Sequence, residues 1–235
     1  MKPANQIILF VCLLIFTRES INAQVEVSGT QFMLNKLRLN KGIEGIPVTL
    51  YQDIKGDPYI FRDFQKGVLS VLNDQKFDVE IRYDLYANQM HLKNKDEIYA
   101  IIHPEKVQLI EAGDYKFIYS AYLNSPKDDE PSRSSYFIIK TGGKCALLVK
   151  KNIRIQDAQL PTLYQEAKPA KFVLTADTYF LKNDGSNAVG IKNKKDLLKV
   201  LADKSDAVKS FISSNKLGVK DIEDLEKIVA YYNSL

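Results

Sequence analysis

From Val79 to Leu85 the chain reads Val-Glu-Ile-Arg-Tyr-Asp-Leu, oily and polar by turns. Successive side chains of an extended strand point to opposite faces. Val79, Ile81, Tyr83 and Leu85 are therefore predicted to share a dry face, with Glu80, Arg82, Asp84 and Tyr86 on a wet one. That period fixes a half-buried strand, and the flanking sequence must supply its neighbours.

It does so at short range. Ala87-Asn88 has turn chemistry, Gln89 to Lys93 continues as a second strand, and Asn94-Lys95-Asp96 breaks before a third, Glu97 to His103, which Pro104 stops. Connections this short join antiparallel neighbours, because a parallel crossover needs about a dozen residues or more. Gly67 to Leu72 precedes the ribbon across Asn73-Asp74-Gln75-Lys76. Lys106 to Ile110 and Tyr115 to Tyr122 follow it. After the polar loop Asn124 to Ser135, Tyr136 to Lys140 and Lys144 to Ile155 flank Thr141-Gly142-Gly143, a turn in which glycine tolerates positive φ. Thr178 to Lys182 and Ala188 to Lys192 make a last pair around Asn183 to Asn187.

Near Asn193 the period changes. Leu197, Val200 and Leu201 fall on one helical face, with Asn193 as N-cap and Asp196 three residues on. Val208, Phe211 and Ile212 repeat the spacing, with Gly218 placed to end that helix. Asp221 caps a third helix, whose stripe is Ile222, Leu225, Val229 and Tyr232. The sequence thus predicts an α+β fold: a predominantly antiparallel β meander of roughly eight to ten strands, then two or three C-terminal amphipathic helices. Residues 24–192 form the expected β domain, and 193–235 a helical segment packed on it.

The N-terminus predicts the compartment. Lys2 gives a positive start, Ile7 to Phe16 is an unbroken apolar run, and Arg18, Glu19, Ser20 and Asn22 restore polarity before Ala23. The run suits a signal-peptide core, since spanning a bilayer takes about 20 apolar residues. Residues 1–23 are the expected leader, cut after Ala23, and the protein is expected to be exported, to periplasm or medium. Cys12 lies inside the apolar core behind Val11, which does not fit lipoprotein processing. No later run reaches membrane-spanning length, so no transmembrane segment is expected after cleavage.

The formal net charge is +4, with both signs interspersed and no basic stripe, which argues against nucleic acid as a partner. Once the leader is gone only Cys145 remains, which excludes a disulfide-stapled fold. Cys145 would need a basic neighbour to act as a nucleophile and otherwise reads as a small buried hydrophobe in a strand.

Chemical motifs are few. His91 falls on the wet side of a short strand and His103 directly precedes Pro104. Neither belongs to an H-E-x-x-H or paired-cysteine pattern, so no metal site is expected. No G-x-S-x-G elbow presents a serine. Gly142-Gly143-Lys144-Cys145 echoes a phosphate loop but has strands predicted on both sides. Asp128, Asp129 and Glu130 lack the spacing of a calcium loop and read as a solvated tip. No catalytic residue and no cofactor is therefore assigned, and the binding residues are left open. Trp is absent, which modestly disfavours a carbohydrate-stacking platform, although thirteen tyrosines and eleven phenylalanines leave it open.

The blocks GDPYIFRDFQKGVL (Gly56 to Leu69), IRYDLYANQMHLK (Ile81 to Lys93) and the ending KNKKDLLKVLADKSDAVKSFISSNKL…YYNSL resemble a group of uncharacterised exported proteins common in Bacteroidota. The resemblance implies export from such a bacterium, carries no established activity and transfers no functional residue. The expected function is that of a non-catalytic exported protein that binds a ligand or assembles in the envelope, with an envelope protein or a small hydrophobic ligand as partner. The alternative is a hydrolase whose carboxylates or serine meet only in space.

Overall fold

The computed structural model describes residues 39–41, 51, 53–72, 75–95, 97–131 and 133–235. The leader expected at 1–23 and its cut after Ala23 lie outside the described residues. The fold is α+β, a mostly antiparallel sheet followed by helices. Among the described residues no helix is long and apolar enough to cross a membrane.

The alternating ribbon is strand β3 (Lys76–Asp84). Before it come β1 (Leu39–Lys41) and β2 (Gln65–Val71); after it come β4 (Gln89–Asn94), β5 (Glu97–Ile101), β6 (Val107–Ala112) and β7 (Tyr115–Leu123). Strands β8 (Arg133–Thr141), β9 (Cys145–Gln156), β10 (Lys171–Asn183) and β11 (Ala188–Ile191) complete the sheet. Its order is β1-β5-β4-β3-β2-β6-β7-β11-β10-β9-β8, and β8 also pairs with β7. The last five strands therefore close on themselves into a small ring. Its seam is the parallel pairing of Ala188 with Tyr122 and Val189 with Leu123. Gly190 lets the seam close, because a Cβ there would stand 2.7 Å from the carbonyl oxygen of Asn124.

Alternation distributes the core. Tyr122, Phe137, Leu148, Phe180 and Ala188, one from each ring strand, pack together inside the ring. Residues on the opposite faces of the same strands point outward: Phe117, Tyr136, Ile138 and Val149 meet Leu69, Ile81, Tyr83, Met90 and Leu92 of the meander. The dry face predicted for β3 is this one, with Ile81, Tyr83 and Leu85 buried and Val79 half-buried.

The helices cover the far side of the ring. Helix α1 (Lys194–Val200) is capped by Asn193, whose Oδ1 accepts the Asp196 N–H at 3.0 Å while its side-chain amide donates to Asp196 Oδ2 at 2.9 Å. Helix α2 (Ser205–Ser214) stops before Gly218: Asn215 closes it and Lys216 takes the left-handed conformation expected of the glycine. Helix α3 (Ile222–Ser234) is capped by Asp221, which accepts the N–H groups of Glu223 and Asp224. Its stripe of Leu225, Ile228, Val229 and Tyr232 packs with Leu197, Leu201, Val208 and Ile212 against Cys145, Leu147, Leu181 and Ile191 of the ring.

Candidate functional site

The wet face of β3 divides. Glu80 and Tyr86 are exposed, Arg82 is half-buried and Asp84 is sealed from solvent. The cause is the segment 53–64, which pairs along β3, Ile60 N–H donating to Tyr83 O at 3.1 Å and Leu85 N–H to Pro58 O at 2.9 Å, and lays the Tyr59 ring over Arg82 and against His91. The Asp84 carboxylate is used structurally. Oδ1 accepts the N–H groups of Tyr86 and Ala87, both at 2.9 Å, closing the β3–β4 turn, and Oδ2 accepts the Tyr51 hydroxyl at 3.1 Å. Burial raises its pKa, which these hydrogen bonds oppose.

His91, expected on a wet side, is buried under the same cover, directly opposite Arg82 in the β3–β4 register. Among the described residues neither ring nitrogen has a hydrogen-bond partner. Burial first, and then the Arg82 charge, push its pKa down to about 4, so the imidazole is neutral. His103 sits just before the 3-10 turn Pro104–Lys106 and contacts Glu105 at 2.9 Å.

Cys145 begins β9 inside the ring–helix core, and burial pushes its thiol up to about 12, far from the thiolate a nucleophile needs. Its backbone is held by Asn233 of α3: Oδ1 accepts the Cys145 N–H at 2.9 Å, and Nδ2 donates to Cys145 O at 2.9 Å and Gly142 O at 3.1 Å. Gly142-Gly143 is thus a hairpin turn docked on a helix, with strands on both sides. The acids Asp128 to Glu130 lie in an exposed loop, where Asp128 accepts the Ser125 N–H. Among the described residues no three His, Cys, Asp or Glu side chains converge as metal ligands would.

What the outline of the molecule offers is an arm. Strand β10 starts at Lys171 and not at Thr178, and runs beside β9 to Gln156. A bulge between Thr175 and Thr178 separates the part packed on the ring from the part beyond it. Asn152 fixes that bulge, its amide donating to Ala176 O at 2.8 Å and Thr178 Oγ1 at 2.9 Å, while Lys151 pairs with Asp177 at 2.7 Å. Beyond Gln156 the ribbon continues through Gln159 paired with Lys168 and ends in a tight turn, Thr162 and Gln165 exchanging backbone hydrogen bonds. The turn residues are Leu163 and Tyr164, each 95% exposed, and Leu160 behind them is 86% exposed. Turns of this kind favour Gly, Asn or Asp, so bulky apolar groups here are not explained by backbone needs. The arm's base is anchored: Tyr51, Tyr86 and Phe172 meet edge to face, and Lys55 pairs with Lys171.

No family model, characterised protein or solved structure matches the chain.

Proposed function

We propose that this chain is an exported, non-catalytic protein of the cell envelope that engages the lipid–water interface through the tip of its arm. The observation that carries the reading is the near-complete exposure of Leu160, Leu163 and Tyr164 on a narrow turn. A specific protein–protein interface takes roughly 800 Å² from each partner, more than so slender a tip presents. A bilayer surface demands no shape complementarity; leucine enters its apolar zone and tyrosine suits the headgroup level. Asp157 and Glu166 against Arg154, Lys168 and Lys171 leave the arm a net charge of only +1, so attraction to anionic lipid is not the driving term. Export is supported by the apolar run Ile7 to Phe16 behind Lys2 and by the resemblance to exported Bacteroidota proteins. The sealed thiol of Cys145, the neutral enclosed His91 and the committed carboxylate of Asp84 support a binding role over a hydrolytic one.

The chain contains no tryptophan, so Tyr164→Trp installs a single fluorescent reporter at the tip. Its emission should shift to the blue on addition of phosphatidylethanolamine–phosphatidylglycerol vesicles, and Leu160→Asp with Leu163→Asp should abolish the shift. An unchanged spectrum with vesicles overturns the reading, as does a blue shift that depends only on protein concentration, which would mean self-association. Protein recovered from the envelope or medium should begin at Gln24; full-length protein confined to the cytoplasm would count against export.

A further inference from the structure

We infer that the cleft between β8 and β9 is a binding site for a small ligand carrying a phosphate, sulfate or carboxylate group. The two strands pair only at Ile138 with Val149, Ile139 with Leu148 and Thr141 with Leu147. Beyond Ile138 they part, β8 following β7 as far as Arg133 opposite Tyr122 and β9 following β10. Sheets rarely leave an inner edge open, because its N–H and C=O groups would go unpaired. Here Asn88, from the β3–β4 turn, takes the place of a strand. Its Oδ1 accepts the Tyr136 N–H at 3.4 Å and the hydroxyls of Ser135 at 3.0 Å and Tyr83 at 2.9 Å, and its amide donates to Ser134 O at 3.3 Å. One polar side chain thus closes the edge and leaves space beside it, a cavity of about 410 Å³.

The charge of that space is one-sided. Arg133, Lys150 and Lys151 line it, and no aspartate or glutamate does. Lys151 is neutralised by Asp177 at 2.7 Å, whereas Lys150 donates only to the uncharged Asn152 Oδ1 at 3.0 Å. Among the described residues neither Lys150 nor Arg133 has an acidic partner. Both cations line the same space, and the Arg133 charge adds to the larger effect of burial in depressing the Lys150 pKa. A half-buried lysine beside an arginine is unfavourable until an anion lies between them. Arginine offers a planar fork to an oxyanion and lysine a compact charge, a pairing suited to phosphate, sulfate or carboxylate. The cavity volume is that of a small-molecule site, and the Ser134 hydroxyl adds a neutral donor to its lining. The site is independent of the arm's tip.

Titration calorimetry of the intact mature protein with inorganic phosphate, sulfate and citrate at low ionic strength tests the inference. At least one anion should bind saturably at millimolar concentration or below and raise Tm. Lys150→Met should weaken that binding about tenfold or more, and Lys150→Arg should restore most of it. In the anion-free protein Lys150→Met should leave Tm unchanged or raise it, because it removes an uncompensated charge; a structural lysine would give the opposite sign. Absence of saturable binding for all three anions overturns the inference, and so does binding that survives the combined Lys150→Met and Arg133→Met change.

Discussion

The guanidinium of Arg82 lies 3.6 Å from the centre of the Tyr59 ring, with the Phe64 ring 4.5 Å away on the same segment. Its Nη1 also reaches Arg62 O at 3.5 Å. A residue at a nominally wet position therefore holds down the segment that covers Asp84 and His91.

This changes what adjacent substitutions should do. Ile81→Ala removes a fully buried side chain from the core between meander and ring and should cost about 2–5 kcal/mol. Arg82→Ala should cost about 1–2 kcal/mol, more than an isolated exposed charge, through the lost ring contacts. Denaturant midpoints of the two variants measure both; a negligible effect at Arg82 would show that the cover does not depend on it.

His91 makes the same region acid-sensitive. Its folded-state pKa is about 4 against 6.5 for the free imidazole. Above pH ~6.5 both states are neutral. Between there and about pH 4 only the unfolded chain takes up the proton, so stability falls as pH falls, by roughly 3 kcal/mol at most. Arg82 opposes protonation from across the strand pair. Asp84, whose pKa burial raises, works in the opposite sense at the acid end. Subtracting the unfolding free energies of His91→Leu from those of the native protein across this range isolates the term; parallel profiles would refute it.

The terminal helix tests the second core. Leu225 is wholly buried between α3 and the ring, so Leu225→Asp should destabilise by about 4 kcal/mol or more, read as a lower Tm. Unaltered thermal unfolding would mean that the face is not packed in solution.

Asn233 adds a polar tie between that helix and the sheet. Asn233→Ala leaves the Cys145 N–H without its partner and should cost about 2–3 kcal/mol. Gly143→Ala should act in the same direction. Gly143 has φ +127°, and a Cβ there would come within 2.7 Å of the Asn233 amide. Combining the two changes should cost less than their sum, because they disturb one contact.

Local patterns and their limits explain which parts were legible beforehand. Ten strands, the caps Asn193 and Asp221 and the stripe through Leu225 follow from period and capping chemistry, which act over a few residues. Strand β10 was anticipated only from Thr178, because Thr175-Ala176-Asp177 breaks the alternation where the bulge sits. The burial of His91 and Asp84 depends on a segment more than a turn away in sequence, and no periodicity within β3 or β4 announces it. The arm and the cleft escaped for related reasons. Leu160, Leu163 and Tyr164 look in sequence like any short apolar stretch, and Arg133 and Lys150, on different strands, line one cavity only in the folded chain.

The parallel seam between Tyr122 and Ala188 also sets an order of events. The meander is complete once β6 has returned to β2 across the β3–β4–β5 hairpins, whereas the ring cannot shut until β11 has been synthesised and brought back to β7. Until then Phe137 and Phe180 have no closed interior to occupy. A chain emerging N-terminus first therefore carries an unfinished, sticky half-barrel for much of its birth. Whatever shields that surface, a chaperone or rapid closure of the ring, governs how much native protein a cell obtains.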